Sequence, residues 1–384
     1  MPPVKVLHII PTLNSGGAER QLVEVVSGTS KEFFSHSVCV FRESDFFAPG
    51  IIAAGQEVID LGLQGSRPWL TAARKLSSLI DEKKPDIIHS WLYDANIAAR
   101  MAKLRRRKIP LVSSLQAPDY EPEVIRAGNW PPAKVEVLRW IDKTLAALTD
   151  PYFVACSEFV GGSYRQKLGV RPARMTVIYN SVDPASLISA PGEPGGIRES
   201  LGIKKDDFVY LTVGRLDPQK DHATLLKAFS EVSQAAANAH LVMIGTGELE
   251  GFLKETASAL DLTERVHFLG RRKDVGACLE MADSYVFPSL FEGLPLSLLE
   301  AMSKGLPCIA SDIGPHREVI ENGVSGLLAA TNSAEELAHS MRKLYNEPVL
   351  RQQLGKEALK KIQEKFLSSI LMPQWEELYR KLSS

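Results

Sequence analysis

Cysteine is scarce in this chain: four in 384 residues, Cys39, Cys156, Cys278 and Cys308. They are scattered among apolar neighbours without metal-ligand spacing, which excludes a disulfide framework and a zinc module and points to buried thiols in a reducing compartment. No apolar run approaches the ~18 residues of a membrane-spanning helix, and no basic-then-apolar signal opens the chain. The expected location is therefore cytoplasmic, with at most a peripheral place on the inner face of the cell membrane. Net charge is nearly absent as well: 45 Lys and Arg against 46 Asp and Glu give −1. That balance argues against a nucleic-acid partner. A hydrophobic fraction of 45% excludes a disordered chain.

What is present is a repeated strand–loop–helix rhythm, over a length that suggests two domains. Val4–Ile10, VKVLHII, is apolar without alternation, as expected of a strand covered on both faces. It leads into PTLNSGGAERQLVEVV, where Gly16 and Gly17 open positive φ and close ligand approach before an amphipathic helix. This is a phosphate-loop position of open α/β folds, although a tight βα turn explains it equally well and no G-x-G-x-x-G is present. Strand-like runs at 36–42, 57–62, 86–91, 109–116 and 152–156 alternate with helical runs, which predicts a parallel sheet with helices on both faces. His89 to Trp91 fall at a strand end, where such sheets bind ligands. Lys103, Arg105, Arg106, Arg107 and Lys108 close a helix, as a solvated C-terminus or as a patch for anionic lipid. Val135, Leu138, Ile141 and Leu145, with Trp140 beside them, form a stripe expected to face the core. SAPGEPGG, residues 189–196, reads as a linker, which puts a domain boundary within 182–201.

The second half restarts with FVYLTVG at 208–214. Arg215 and Lys220 follow in a strand-to-helix loop with Asp221 as a candidate N-cap, and two cations so placed form a diphosphate clamp. In HLVMIGTGELEGFL, Gly245 and Gly247 are expected to let the backbone approach a ligand. The most informative stretch is 291–312, FEGLPLSLLEAMSKGLPCIASD. It predicts a short helix over 295–304 that opens on a Gly-Leu-Pro turn, stops at Gly305 and is framed by Glu292 and Glu300. Eight residues of helical rise separate the two carboxylates by roughly 12 Å. That exceeds the ~5–9.5 Å of a glycosidase pair. It suits one elongated ligand whose phosphates lie at the helix N-terminus and whose ends carry hydroxyls: a nucleotide sugar.

The ordered set EGLPLSLLEAM, GLPCIASDIG and EVIENGVSGLL closely resembles the retaining glycosyltransferases of family 4. The resemblance spans nearly the whole chain, motif-rich over 208–330 and looser over 1–180. It implies the α/β GT-B fold: two Rossmann-like domains facing across a cleft, with a C-terminal helix crossing back to the N-terminal domain. The implied domains are 1–185 with 368–384 for the acceptor and 186–367 for the donor; Pro373, Trp375 and Tyr379 fit the returning helix. The implied reaction moves a hexose from a nucleoside-diphosphate sugar, expected to be a UDP-sugar, to a hydroxyl of a sugar or lipid-linked sugar in polysaccharide, lipopolysaccharide or glycolipid synthesis. By resemblance Arg215 and Lys220 meet the diphosphate, Glu292 the sugar with Gly293 and Leu294 beside it, and Glu300 the ribose. Gly16 and Gly17 border the sugar-phosphate site, Gly245 approaches the donor, and Arg271 lies in the segment that meets the base. Many family members carry a histidine where Gln116 stands; glutamine can hydrogen-bond a sugar but cannot carry a proton. The implied catalytic set is Glu292, Arg215, Lys220 and Gln116. No D-x-D stands where a metal would be needed, so neither a divalent metal nor a cofactor is expected. A sugar-nucleotide epimerase on the same fold and a catalytically silent nucleotide-sugar-binding subunit remain open at this point.

Overall fold

The computed structural model describes every residue except 1, 15, 43–45, 66–68, 105–107 and 191. The chain divides into two compact units, Met1–Ser181 with Ser368–Ser384, and Val182–Leu367. The first unit holds seven parallel strands: β1 Val4–Ile10, β2 Phe34–Val40, β3 Glu57–Asp60, β4 Ile87–Trp91, β5 Leu111–Leu115, β6 Tyr152–Ala155 and β7 Met175–Val177. Their order is β3-β2-β1-β4-β5-β6-β7, so the chain reverses direction across the sheet between β1 and β4. β1 pairs on both sides, with Leu7 opposite Ser37 of β2 and Ile88 of β4. Helices cover both faces of this central pair, which is why both strands read as apolar runs.

The returning helix Ser368–Ser383 belongs to this first unit. It buries Leu371, Met372, Trp375, Leu378 and Tyr379, an i, i+3, i+4 stripe, against β1, β4 and helix Gly17–Gly28. Each large side chain so buried stabilises the docked helix by roughly 1.5–3 kcal/mol. The point where the chain leaves the unit is held by Gln21, whose Nε2 donates to Ser181 Oγ at 3.2 Å while its Oε1 accepts from Ser181 N at 2.9 Å. Ser368 Oγ, where the chain returns, donates to Ser181 Oγ at 3.2 Å.

The second unit holds six parallel strands: β8 Phe208–Val213, β9 Ala239–Ile244, β10 Val266–Phe268, β11 Ser284–Phe287, β12 Cys308–Ser311 and β13 Leu327–Ala329. Their order, β10-β9-β8-β11-β12-β13, places the reversal between β8 and β11. Helices His222–Ala235 and Ala334–Asn346 bring Leu225, Phe229, Leu337 and Met341 onto Tyr210, Leu241 and Val286.

Three expectations need correction. The 189–196 stretch is not wholly a linker: Glu193–Ser200 is a helix with Ile197 buried. Pro194 sits in its first turn, where a missing N–H breaks no intrahelical bond. In helix Pro132–Thr149 the stripe splits: Val135 and Leu138 are buried, Ile141 and Leu145 half-buried, and Trp140 is exposed. Of the basic run, Lys103 is buried with Nζ donating to Thr149 O at 2.7 Å, so it is no part of a surface patch. Lys108 is exposed, and Arg105, Arg106 and Arg107 lie outside the described residues.

Candidate active site

An open α/β sheet leaves a crevice at the carboxyl ends of its strands where the strand order reverses. In the second unit that place is flanked by the loops after β8 and β11, which carry Arg215, Lys220 and Glu292. Two hydrogen bonds lash these loops together: the Gln219 side chain donates from Nε2 to Phe291 O at 2.9 Å, and backbone Leu290 N donates to backbone Gln219 O at 2.8 Å. Lys220 Nζ lies 2.5 Å from Glu292 Oε1, and both side chains are nearly buried. The same ammonium sits 4.8 Å from the centre of the Phe287 ring at the end of β11. Arg215 is mostly exposed and pairs with Asp217 at 3.0 Å and Gln219 Oε1 at 3.1 Å. Asp221 occupies the N-cap position of the next helix, with φ 46 and no side-chain cap hydrogen bond.

The β11 loop then enters helix Leu296–Ser303, one residue shorter at each end than the sequence suggests. Pro295 is the N-cap, not the first helical residue, because its ψ of 116 is still extended. Only the second half of the Glu292–Glu300 span is helical, so helical rise does not set the separation of the two carboxylates. Neither glutamate is a surface group: Glu292 is 8% and Glu300 4% exposed. Gly293 and Leu294 are buried with them. The N-cap, Pro295, makes no side-chain cap hydrogen bond to the N–H groups of the first turn.

Gly245 and Gly247 have a reason independent of any ligand. Gly245 has φ +139, and a Cβ there would lie 1.8 Å from Gly214 O; at Gly247 it would lie 2.3 Å from Leu216 O. The loop after β9 therefore packs backbone to backbone against the loop that carries Arg215. Arg271 is exposed after β10. Sequence reasoning missed His316, at the start of helix Gly314–Val319. It is fully buried, and its ring centre lies 5.6 Å from that of Phe287. Burial pushes it down to about 4, so it is neutral near pH 7. Its signal in the sequence was one histidine inside a Gly-Pro-His-Arg-Glu turn, and nothing local tied it to Glu292.

In the first unit the reversal lies between β1 and β4, and the loop with Gly16 and Gly17 follows β1. Neither glycine has positive φ; Gly16 is extended at φ −125 and forms the N-cap of helix Gly17–Gly28. Positive φ is therefore not why glycine stands there. A Cβ on Gly16 would meet the Glu19 carboxylate at 2.2 Å, the end of a flexible side chain. Gln116 is half-buried just past β5. His89 does not face a ligand site: it is fully buried, with Nδ1 2.8 Å from Tyr379 Oη and Nε2 2.7 Å from Ser114 Oγ. Beside it runs a chain of hydrogen bonds, Trp91 Nε1 to His8 Nδ1 at 3.2 Å, His8 Nε2 to His36 Nδ1 at 2.9 Å, His36 Nε2 to Thr29 Oγ1 at 2.8 Å and Thr29 Oγ1 to Val25 O at 2.8 Å.

Two family models cover most of the chain: glycosyl transferases group 1 over residues 196–361 and Glycosyltransferase Family 4 over residues 15–186. The UDP-Gal:alpha-D-GlcNAc-diphosphoundecaprenol alpha-1,3-galactosyltransferase of Escherichia coli is 29% identical over 280 residues, 72% of this chain and 70% of that protein. The putative glycosyltransferase EpsD of Bacillus subtilis is 28% identical over 295 residues, 76% of this chain and 75% of that one. Among solved structures, Anabaena HepE in complex with UDP-glucose superposes with a TM-score of 0.85 at 22% identity, covering 98% of this chain and 99% of that one.

Proposed function

The chain belongs to the group 1 glycosyltransferases of the GT-B fold, and on that premise we propose that it transfers a hexose from a UDP-sugar to a hydroxyl acceptor with retention of anomeric configuration. The observation that carries this reading is the convergence of Lys220, Glu292 and Arg215 at the reversal point of the second sheet, beside a helix start whose N-cap residue makes no side-chain cap hydrogen bond. A diphosphate leaving group gains negative charge as the glycosidic bond breaks. Arg215, Lys220 and the helix N–H groups stabilise that charge more in the transition state than before it. Glu292, beside Lys220, faces the sugar, where positive charge develops at the anomeric carbon. Glu300, further along the same helix, takes the ribose hydroxyls. The two cations do the work a divalent ion does in other sugar transfers, so the proposed reaction needs no metal.

The UDP in the names of the Escherichia coli relative and of the HepE complex supports the choice of nucleotide. The same relative's lipid-linked acceptor supports an acceptor carried on lipid, and with it work at the inner face of a membrane. Helix Pro132–Thr149 offers a face for that contact: Val137, Trp140 and Leu148 are 58%, 67% and 52% exposed. Among the described residues no helix is long and apolar enough to cross a membrane.

The test is a panel of UDP- and GDP-sugars scored by thermal shift and then by transfer. A donor at 100 times its dissociation constant should stabilise the protein by about 2.7 kcal/mol. Arg215→Ala, an exposed change that leaves the core alone, should cut transfer about tenfold to a thousandfold without lowering the melting temperature. Full turnover in that variant refutes the clamp.

A further inference from the structure

The second unit contains a buried polar atom that the proposed reaction does not yet use. His316 Nδ1 lies 2.8 Å from Ser311 O. A carbonyl only accepts, so Nδ1 carries the proton and Nε2 is left as a bare lone pair. Nε2 is buried and has no hydrogen-bond partner. An orphaned buried acceptor is costly, which calls for a state in which it is satisfied. Its surroundings indicate what fills it. Phe287 is the shared neighbour: the Lys220 ammonium stands 4.8 Å over its ring and the His316 ring packs at 5.6 Å. Lys220 is in turn 2.5 Å from Glu292, and both charges act on His316.

We infer that His316 is a positioning residue for Lys220: when the donor's diphosphate draws the ammonium away from Glu292, His316 Nε2 accepts one of its N–H groups and fixes its direction. This rests on the donor reading above. A neutral acceptor suits the task, because a carboxylate there would neutralise the ammonium that the diphosphate needs. A protonated ring would repel it. Glu292 is left free to face the sugar.

Asparagine and glutamine separate this role from a structural one, since the Asn amide overlies Nδ1 and the Gln amide overlies Nε2. His316→Asn keeps the donor to Ser311 O and deletes the acceptor; it should bind UDP about tenfold more weakly and lose turnover, with little change in melting temperature. His316→Gln should restore UDP affinity to within a few-fold of wild type. The reverse ranking, Asn harmless and Gln damaging, would mean that only the Ser311 bond matters and overturns the inference. A measurement on the wild type needs no variant to fold: the ¹⁵N resonance of the unprotonated His316 Nε2 should move upfield when UDP saturates the protein. Binding of UDP with that resonance unmoved overturns the role of His316 alone. No binding of any nucleoside diphosphate overturns the donor reading, and the inference with it.

Discussion

Lowering the pH should destabilise the first unit through its histidine chain, and the size of the effect follows from the wiring. Indole N–H only donates, so His8 Nδ1 must accept from Trp91 and the His8 proton sits on Nε2. That proton points at His36 Nδ1, so the His36 proton sits on Nε2 and points at Thr29, whose hydroxyl donates to Val25 O. Each ring is thereby fixed neutral in one tautomer. Adding a proton to His36 would set two N–H donors head to head in a buried place. Burial lowers His36 from 6.5 to about 4 and holds His8 and His89 well below the usual range. Between pH 6.5 and 4 the unfolded chain binds a proton that the folded chain refuses, so stability is full above about 6.5 and is lost as pH falls. For His36 alone the loss is about 3 kcal/mol by pH 4. A bare pH slope would mix in Asp119, whose carboxyl is raised to about 6 by burial and acts in the opposite sense. The measurement is therefore a difference: urea unfolding of wild type and His36→Gln at pH 7.5 and at pH 4, followed by circular dichroism. The gap between the two proteins should shrink by about 3 kcal/mol at the lower pH. An equal gap at both values would refute the neutral wire.

Glu292→Gln should depress kcat strongly while leaving UDP affinity nearly unchanged, whereas Glu300→Gln should weaken UDP binding by about 1–3 kcal/mol; the opposite pattern would reverse the donor along the helix. Transfer should persist in excess EDTA, and a complete loss restored by magnesium or manganese would reject the metal-free clamp. Vesicles of anionic lipid should bind the protein at low salt, and Trp140→Ser should weaken that binding; equal binding by both proteins would remove helix Pro132–Thr149 from the contact.

Much of the fold was legible because its signals are local. VKVLHII and FVYLTVG read as strands because both their faces must be covered, and Val4–Ile10 and Phe208–Val213 are strands in the fold. The stretch EGLPLSLLEAM, with GLPCIASDIG and EVIENGVSGLL after it, carried the family resemblance because each is a run of neighbouring residues. Tertiary structure decided what depends on partners far apart in sequence. Lys220 meets Glu292 across 72 residues and His89 meets Tyr379 across 290. Composition calls 189–196 a linker, but burial of Ile197 makes its second half helical. Lys103 reads as a surface cation until the Thr149 carbonyl takes it inside. Gly16 reads as a φ requirement, yet its backbone is extended. His316 showed only as one histidine in a Gly-Pro-His-Arg-Glu turn, because an orphaned lone pair exists only after the fold has closed around it. Periodicity and turn chemistry are properties of a few neighbouring residues and survive in the sequence. Burial, tautomer and charge pairing belong to the packed interior, where distant segments supply one another's missing partners.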